Sequence, residues 1–324
     1  MHATSPPLLP RALGRSGLST LPLALGGNAI GWTADEKTSH AVLDRFVDAG
    51  FSLIDTADVY SKWVPGHAGG ESETIIGTWL KKNAARRSQV LVATKVGGEI
   101  AAGRKGLSAT HIRSAVEDSL RRLQTDYIDL YQAHYDDPGV DVDETLRAFG
   151  DLIAAGKVRA IGVSNHEPAR LEAVLEFSRR HGLPRYETLQ PLYNLYDRQE
   201  FEQTYAPICR REGLGVISFY ALASGFLTGK YRTQQDVDAS ARKRSNQKYL
   251  NERGLRILQA LDTVAARTGV KPAQVAIAWL VSRPDVTAPI ASATSVAQVE
   301  ELITAVRLVL DAESLALLDQ ASAW

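Results

Sequence analysis

The 324-residue sequence has few of the features that mark secreted, metal-binding or membrane-spanning proteins. Its single cysteine, Cys209, excludes an internal disulfide, and no Cys or His lies near it at metal-ligand spacing. The N-terminus lacks a basic stretch followed by an apolar run, and no window approaches the roughly twenty apolar residues that a membrane helix needs. We therefore expect a soluble cytoplasmic protein without membrane contacts.

The sequence also lacks net charge, because 37 basic side chains balance 37 acidic ones. Such a chain has no global field to attract nucleic acid, so any phosphate-bearing ligand must be bound locally. With 44% hydrophobic residues the chain can bury a substantial core, as either one large domain or two smaller ones. No linker divides it, and we predict a single domain over residues 1–324.

Short β-rich runs alternate with longer helical patterns along the whole chain. The eight strand candidates are LPLAL at 21, FSLID at 51, QVLVAT at 89, YIDLYQ at 127, VRAIGVS at 158, YETLQ at 186, LGVISFY at 214 and VTAPIA at 286. Several are apolar on both faces, as in parallel strands that helices cover, and repeated βα units predict a parallel sheet. The last predicted helix begins at about residue 295.

Eight βα units in this length indicate a closed (β/α)8 TIM barrel, with a doubly wound open sheet as the alternative. An open sheet usually has a G-x-G-x-x-G turn after its first strand, and here that position reads LGGNAIGW. The N-terminal segment LLPRALGRSGLSTLPLALGG, with Gly14 and Gly17 between short apolar stretches, predicts a β-hairpin at the barrel floor. The polar stretch 231–251 has the composition of a mobile loop.

Polar residues follow the predicted strands, at the end of a barrel where catalytic groups converge. They are Asp55, Lys95, His134, Ser164, Asn165, Gln190, Tyr220, Ser292 and Thr294. Each has a structural explanation when taken alone, such as a turn cap for Asp55 or a solvated charge for Lys95. Together they favour a site, because Lys and Asp at buried strand ends are costly unless they pair. We predict an ion pair between Asp55 and Lys95.

Tyr60 lies five residues after Asp55 and adds a phenol to this group. A free tyrosine has a pKa near ~10, and an adjacent ammonium would lower it while an imidazole shares the proton. Such a general acid suits carbonyl reduction. No HxH pattern follows a strand, so we expect no metal site, and nothing separately indicates a Schiff base at Lys95.

At these residues the sequence resembles the aldo-keto reductase family, and the resemblance covers nearly the whole chain. Its motifs are GFSLIDTADVY with GGESETIIG, LVATKVG, IDLYQAH and GKVRAIGVSN. The resemblance implies a (β/α)8 barrel that reduces an aldehyde or ketone with NAD(P)H. It assigns the catalytic tetrad to Asp55, Tyr60, Lys95 and His134, with Tyr60 as the general acid.

The resemblance also implies cofactor contacts. Ser164, Asn165 and Gln190 would bind the nicotinamide carboxamide, and Tyr220 would stack on its ring. Asp55, Gly27 and Asn28 would lie near the nicotinamide end of the cofactor. The pyrophosphate and adenosine would contact Ala221, Leu222, Ser224, Gly225, Lys230, Arg242, Ser292, Thr294, Gln298 and Glu301.

Two positions depart from the family pattern. The segment that meets the adenosine 2′-phosphate often carries Lys or Arg, but here it reads IASATSVAQVEEL. Hydroxyl groups at a helix N-terminus can still bind an anion, so we expect NADP(H), with NAD(H) as the alternative. His166 replaces the aromatic residue that usually follows Ser-Asn, and we expect it to alter the substrate pocket.

The substrate is a small carbonyl compound whose identity depends on loop residues. Trp32, Trp63 and His67 would line a pocket suited to a sugar-derived or otherwise hydroxylated aldehyde. Alternatively, Trp63 only packs its loop onto the barrel. Nothing in the sequence sets an oligomeric state.

Two other functions fit the same residues. Potassium-channel β subunits resemble the family and act as cofactor-bound regulatory partners of a channel, and an intact tetrad is compatible with that role. The protein could instead work mainly as an alcohol or sugar dehydrogenase in the oxidative direction. Turnover of a generic aldehyde separates the first alternative from a reductase, and the oxidative rate tests the second.

Overall fold

Eight parallel strands form the central sheet of the computed structural model, which describes residues 7–240 and 243–324. In chain order β3 to β10 are Ala24–Gly26, Leu53–Asp55, Leu91–Val96, Ile128–Ala133, Val158–Ser164, Tyr186–Gln190, Gly215–Val216 and Ile290–Ala291. The sheet order is β10, then β3 through β9. Backbone amides of Thr287 and Ile290 donate to Val216 and Ser218 at 2.9 and 2.8 Å, which closes the sheet. The predicted (β/α)8 barrel is confirmed.

Helices surround the barrel. In chain order α1 to α12 are Glu36–Asp48, Glu71–Lys82, Ala109–Leu123, Val142–Ala154, Pro168–His181, Ala206–Glu212, Gln234–Asp238, Lys243–Asn246, Glu252–Thr268, Pro272–Val281, Val296–Arg307 and Ala312–Ala321. Helix α1 shows why they form: Asp35 caps its first turn by accepting from the Thr38 amide at 2.8 Å. Its buried Val42, Leu43 and Phe46 lie on one face, which packs inward. In the described ranges, no helix is long and apolar enough to cross a membrane.

Two segments differ from the sequence prediction. The stretch 231–251, predicted as a loop, contains α7, α8 and a 3-10 turn at Gln247–Tyr249. Thr233 and Asp236 form a reciprocal capping box that starts α7. The predicted final helix is two helices, because Asp311 accepts from the Ser314 amide at 2.7 Å and begins α12.

The N-terminal hairpin covers the barrel floor, as predicted. Its strands β1 (Arg11–Ala12) and β2 (Ser19–Thr20) pair antiparallel. Leu13 and Leu18 pack with inward-facing side chains of the barrel strands. Gly14, at a positive φ of 64°, lies so close to the Glu187 carbonyl that a Cβ atom would collide with it. The floor is therefore sealed, and the opposite mouth is where strand ends meet solvent.

Candidate active site

The buried ammonium of Lys95 organises the barrel mouth. Lys95 lies near the end of β5, and its Nζ donates to Asp55 Oδ2 at 2.7 Å, the Thr56 carbonyl at 2.8 Å and Tyr60 Oη at 2.9 Å. These three bonds use its full donor capacity. Burial alone would lower the pKa of Lys95, but Asp55 and Tyr60 outweigh it and raise the pKa. Lys95 is therefore a fixed cation.

Asp55, the last residue of β4, binds this cation and is itself fixed by further hydrogen bonds. Its second oxygen accepts from Gln190 Nε2 at 2.8 Å and from Gln132 Nε2 at 3.3 Å. Gln132 was absent from the sequence prediction. Its position two residues before His134, on the same face of β6, is the signal that could have found it.

Tyr60 is held in the turn after β4, with its hydroxyl against Lys95. The expected lowering of its pKa is wrong for this structure: burial raises the pKa of Tyr60 to about 12, and the Lys95 charge only opposes that rise. Desolvation of the phenol outweighs the attraction to the ammonium. Tyr60 is therefore a protonated donor at neutral pH.

His134 follows β6 on the other side of the mouth. Its ring centroid lies 6.1 Å from that of Tyr60, and Tyr135 stacks on it at 4.6 Å. Burial, with a smaller contribution from Lys95, lowers the pKa of His134 to about 3, so the imidazole is neutral. Its Nδ1 has no partner among the described residues. Tyr135, half-exposed beside it, was also missed by the sequence prediction.

Ser164 ends β7 next to this group, and Asn165 follows it. Asn165 Nδ2 donates to the His134 carbonyl at 2.9 Å, and Ser164 Oγ donates to the Gln190 carbonyl at 2.8 Å. Asn165 has a positive φ of 50°, which turns the chain sharply across the mouth. These bonds tie the ends of β6, β7 and β8 together.

Tyr220 follows β9 as an exposed ring on a strained backbone. Its φ is 55°, and its side chain is 49% exposed. Ala221 and Leu222 lead from it into a 3-10 turn, Ala223–Thr228, in which Ser224 and Gly225 have φ values of 57° and 93°. Several left-handed residues close together give this loop a tight, strained backbone. Lys230 lies exposed beyond it, and Arg242 falls outside the described residues.

The end of β10 meets the end of β3. Ser292 Oγ donates to Asn28 Oδ1 at 2.5 Å, and Thr294 donates through its amide to Gln298 Oε1 at 2.8 Å. A Cβ atom at Gly27 would collide with the Asp55 carbonyl, so the backbone at Gly27 runs directly over the end of β4. Farther along α11, Glu301 is ion-paired with Lys271.

Aromatic rings line the predicted substrate side. Trp63 packs edge-on against Trp32 at 5.6 Å and against Tyr60 at 5.9 Å. It is 49% exposed, so the ring both packs its loop and presents a free surface. His67 lies in the same loop, with its amide donating to the Val64 carbonyl at 3.0 Å.

The prediction that His166 alters the substrate pocket is not supported by its position. The ring is buried, with Nδ1 3.0 Å from the Ser164 carbonyl and Nε2 3.4 Å from Asp136. It packs edge-on against Tyr186 at 5.9 Å, and its side chain borders a small cavity next to Leu146 of α4. The turn at Asn165 directs the ring behind the barrel wall.

The family model named aldo/keto reductase family matches residues 22–323. The chain is 37% identical over 316 residues to the uncharacterized oxidoreductase YrpG of Bacillus subtilis, covering 95% of this chain and 94% of that protein. It is 34% identical over 294 residues to the aldo-keto reductase YhdN of the same species, covering 89% and 83%.

It is also 35% identical over 306 residues to a probable voltage-gated potassium channel subunit beta of rice (Oryza sativa), covering 92% and 90%. The barrel, its polar mouth and these matches define a class of oxidoreductases. The chain belongs to the aldo/keto reductase family.

Proposed function

We propose that the protein is an NAD(P)H-dependent reductase that converts an aldehyde or ketone to the alcohol, with Tyr60 as the general acid. The observation that carries this proposal is the single ammonium of Lys95 bound to both Asp55 and Tyr60. A partly buried phenol in contact with a fixed cation can release a proton where negative charge develops, and it remains protonated until then.

The mouth fits a nicotinamide cofactor. Tyr220 supplies a half-exposed ring, and its positive φ indicates strain retained for a binding role. Ser164, Asn165 and Gln190 would bind the carboxamide, with Gly27 and Asn28 near the ribose. The pyrophosphate would lie along Ala221, Leu222, Ser224, Gly225 and Lys230. A bound cofactor of this kind supplies the hydride.

The protein side chains act on the carbonyl oxygen. Tyr60 donates its proton to that oxygen as it becomes negative, and Lys95 stabilises the phenolate that remains. Asp55 keeps Lys95 in place. His134, neutral because burial lowers its pKa to about 3, orients the oxygen without competing as an acid. The alcohol thus receives one proton from Tyr60, and solvent later reprotonates the Tyr60 phenolate.

We favour NADP(H) over NAD(H) because Ser292, Thr294 and Gln298 place hydroxyl and amide groups at the N-terminus of α11, where the helix dipole favours an anion. Glu301, already paired with Lys271, would contact the adenosine side without opposing a phosphate strongly. On the substrate side, Trp32, Trp63 and Tyr135 offer flat apolar surfaces near Tyr60. They suit a carbonyl attached to a ring or to a sugar-derived chain.

A paired titration with NADPH and NADH, followed by turnover, tests this function. Quenching of protein fluorescence gives both dissociation constants, and consumption of the preferred cofactor is then followed with 4-nitrobenzaldehyde and a carbonyl panel that includes aldoses. We expect tighter binding of NADPH and measurable reduction. Absence of binding by either cofactor contradicts the proposal.

Binding without consumption across the panel would support the second candidate, a cofactor-bound regulatory subunit. The rice relative named as a potassium channel subunit is the observation that favours it. The oxidative rate with NAD(P)+ at neutral pH tests the remaining alternative. A faster oxidative than reductive rate would make the protein an alcohol or sugar dehydrogenase.

A further inference from the structure

Asn194 is a fully buried amide in the loop after β8, and all of its hydrogen-bonding capacity is used. Its Nδ2 donates to the Tyr220 carbonyl at 3.0 Å and to Asp197 Oδ2 at 3.1 Å. Its Oδ1 accepts from the amides of Tyr196 and Asp197 at 2.8 and 2.9 Å. Because two acceptors face Nδ2 and two donors face Oδ1, the orientation of the side-chain amide is fixed.

The Tyr220 carbonyl is held from two directions. Besides Asn194, the amide of Ala223 donates to it at 2.7 Å. Tyr220 adopts a left-handed backbone that a non-glycine residue occupies only where its surroundings enforce it. Asn194 is the side chain that supplies this constraint from a second loop. The orientation of the exposed Tyr220 ring therefore depends on a buried residue outside its own turn.

The same hydrogen bonds continue to a third segment. Asp197 Oδ2 also accepts from Tyr249 Oη at 2.7 Å, and Asp197 Oδ1 accepts from Lys248 at 3.1 Å. Tyr249 is buried and stacks on Phe226 of the 3-10 turn at 5.5 Å. The loop after β8, the turn after Tyr220 and the segment 243–249 are thereby connected through Asn194, Asp197 and Tyr249, which we call the Asn194 network.

We propose that Asn194 is a positioning residue for the Tyr220 ring, and that the Asn194 network couples this ring to the segment 243–249. The inference rests on the proposed function, in which Tyr220 stacks on the nicotinamide. Asn194 does not contact the cofactor. It lowers the free-energy cost of cofactor binding, because it holds the strained Tyr220 backbone and its ring in place before the cofactor binds.

Asn194→Asp removes the donor and keeps the acceptor. The substitution keeps Oδ1 for the two amides and replaces Nδ2 with an oxygen that faces the Tyr220 carbonyl and the Asp197 carboxylate. We expect the dissociation constant of NADPH to rise roughly tenfold, as for loss of a buried hydrogen bond with repulsion in its place. The effect should appear mainly in the KM for the cofactor, with a smaller change in kcat.

Tyr249→Phe and Tyr196→Phe form a matched pair that perturbs the fold less. Each removes one hydroxyl that links the loop after β8 to the segment 243–251: Tyr249 Oη donates to Asp197, whereas Tyr196 Oη donates to the Lys248 carbonyl and accepts from Asn251 Nδ2. Only the Tyr249 hydroxyl belongs to the Asn194 network, because Tyr196 contacts Asn194 through its backbone amide, which the substitution keeps. We expect weaker NADPH binding, about threefold or more, for Tyr249→Phe and an unchanged dissociation constant for Tyr196→Phe.

Fluorescence quenching by NADPH is measured on all three variants and the wild type, with circular dichroism to confirm folding. Equal weakening in both phenylalanine variants would show general loosening of the segment and overturn the proposal. Wild-type affinity in a folded Asn194→Asp variant would also overturn it. If the wild type binds neither NADPH nor NADH, the proposed function itself fails. If the wild type binds and the variants match it, only this inference fails.

Discussion

The Nζ atom of Lys95 lies 2.9 Å from Tyr60 Oη and, on its other side, 2.7 Å from Asp55 Oδ2. Because this ammonium is completely buried, solvent screens its charge very little. The Lys95 ammonium thus connects Tyr60, which would donate the proton, to Asp55, which holds the ammonium in place. The contributions of Tyr60 and of the ion pair can be separated by substitution.

Tyr60→Phe removes the hydroxyl but keeps the ring that packs against Trp63. We expect NADPH binding to persist while reductase turnover falls by about 10²–10⁴-fold, the usual contribution of a general acid. Fluorescence titration and steady-state rates measure the two effects. Tyr193→Phe, which loses a hydroxyl bonded to Glu202 in the helical layer, serves as the control with retained turnover. Normal turnover in Tyr60→Phe would refute the mechanism.

Lys95→Met should reduce both stability and turnover. It leaves the Asp55 carboxylate buried without its counter-charge, which costs about 3–5 kcal/mol of unfolding free energy. The double variant Asp55→Asn/Lys95→Met removes both charges and should recover much of that stability without recovering activity. Urea denaturation and turnover assays distinguish these outcomes. A double variant as unstable as the single one would show that the ion pair does not explain the loss.

The buried carboxyl group of Asp58 should make the stability of the protein depend on pH. It is buried in the turn before Tyr60, and neither carboxyl oxygen has a partner within the described part of the chain. Burial, reinforced by Glu73 of α2, raises the pKa of Asp58 to about 8 against the opposing charges of Arg122 and Lys95. Tyr131 of β6 is a further titratable neighbour.

Between about pH 4 and about pH 8 the folded protein keeps a proton on Asp58 that the unfolded chain releases. Its unfolding free energy therefore falls as pH rises, by up to about 1.4 kcal/mol per pH unit from this group. Asp58→Asn should remove that slope, as measured by urea denaturation at pH 5 and pH 8. Asp151→Asn, at an exposed ion pair, is the control. An unchanged slope in Asp58→Asn would rule out a protonated Asp58.

Gln298→Glu tests cofactor selectivity at the start of α11. The new carboxylate can still accept from the Thr294 amide, so the helix cap remains, but it adds negative charge where a 2′-phosphate would bind. We expect NADPH affinity to fall roughly fivefold or more and NADH affinity to change little. Fluorescence titration with both cofactors provides the internal control. Equal changes for the two would place the phosphate elsewhere.

The sequence predicted the barrel because its signals are local and repeated. Runs such as VLVAT and VRAIGVS are apolar on both faces, and helices with one buried face separate them. The meeting of Asp55 with Lys95 followed from the cost of burying either alone at a strand end. The inward-facing Gln132 was predictable from strand alternation as well, but no charge drew attention to it.

Other features depend on tertiary structure and could not be read from the sequence. The pKa of Tyr60 reflects the desolvation of the phenol in the folded mouth, which outweighs the attraction of the nearby ammonium. The short helices within 231–251 contain few apolar residues to give a period, although the Thr233–Asp236 spacing of a capping box was visible. The direction of His166 depends on the left-handed turn at Asn165, which sequence patterning does not specify.

His166→Phe tests the corrected position of that ring. Because His166 is buried behind the barrel wall, the substitution should leave the ratio of kcat/KM values for two different aldehydes unchanged. Any change in kcat/KM should be the same for all substrates. It would arise because the bond from the ring to the Ser164 carbonyl is lost next to Asn165. A Trp63→Leu variant supplies the comparison, because Trp63 is half-exposed beside Tyr60 and its loss should alter the ratio. A selectivity change in His166→Phe as large as in Trp63→Leu would return His166 to the substrate pocket.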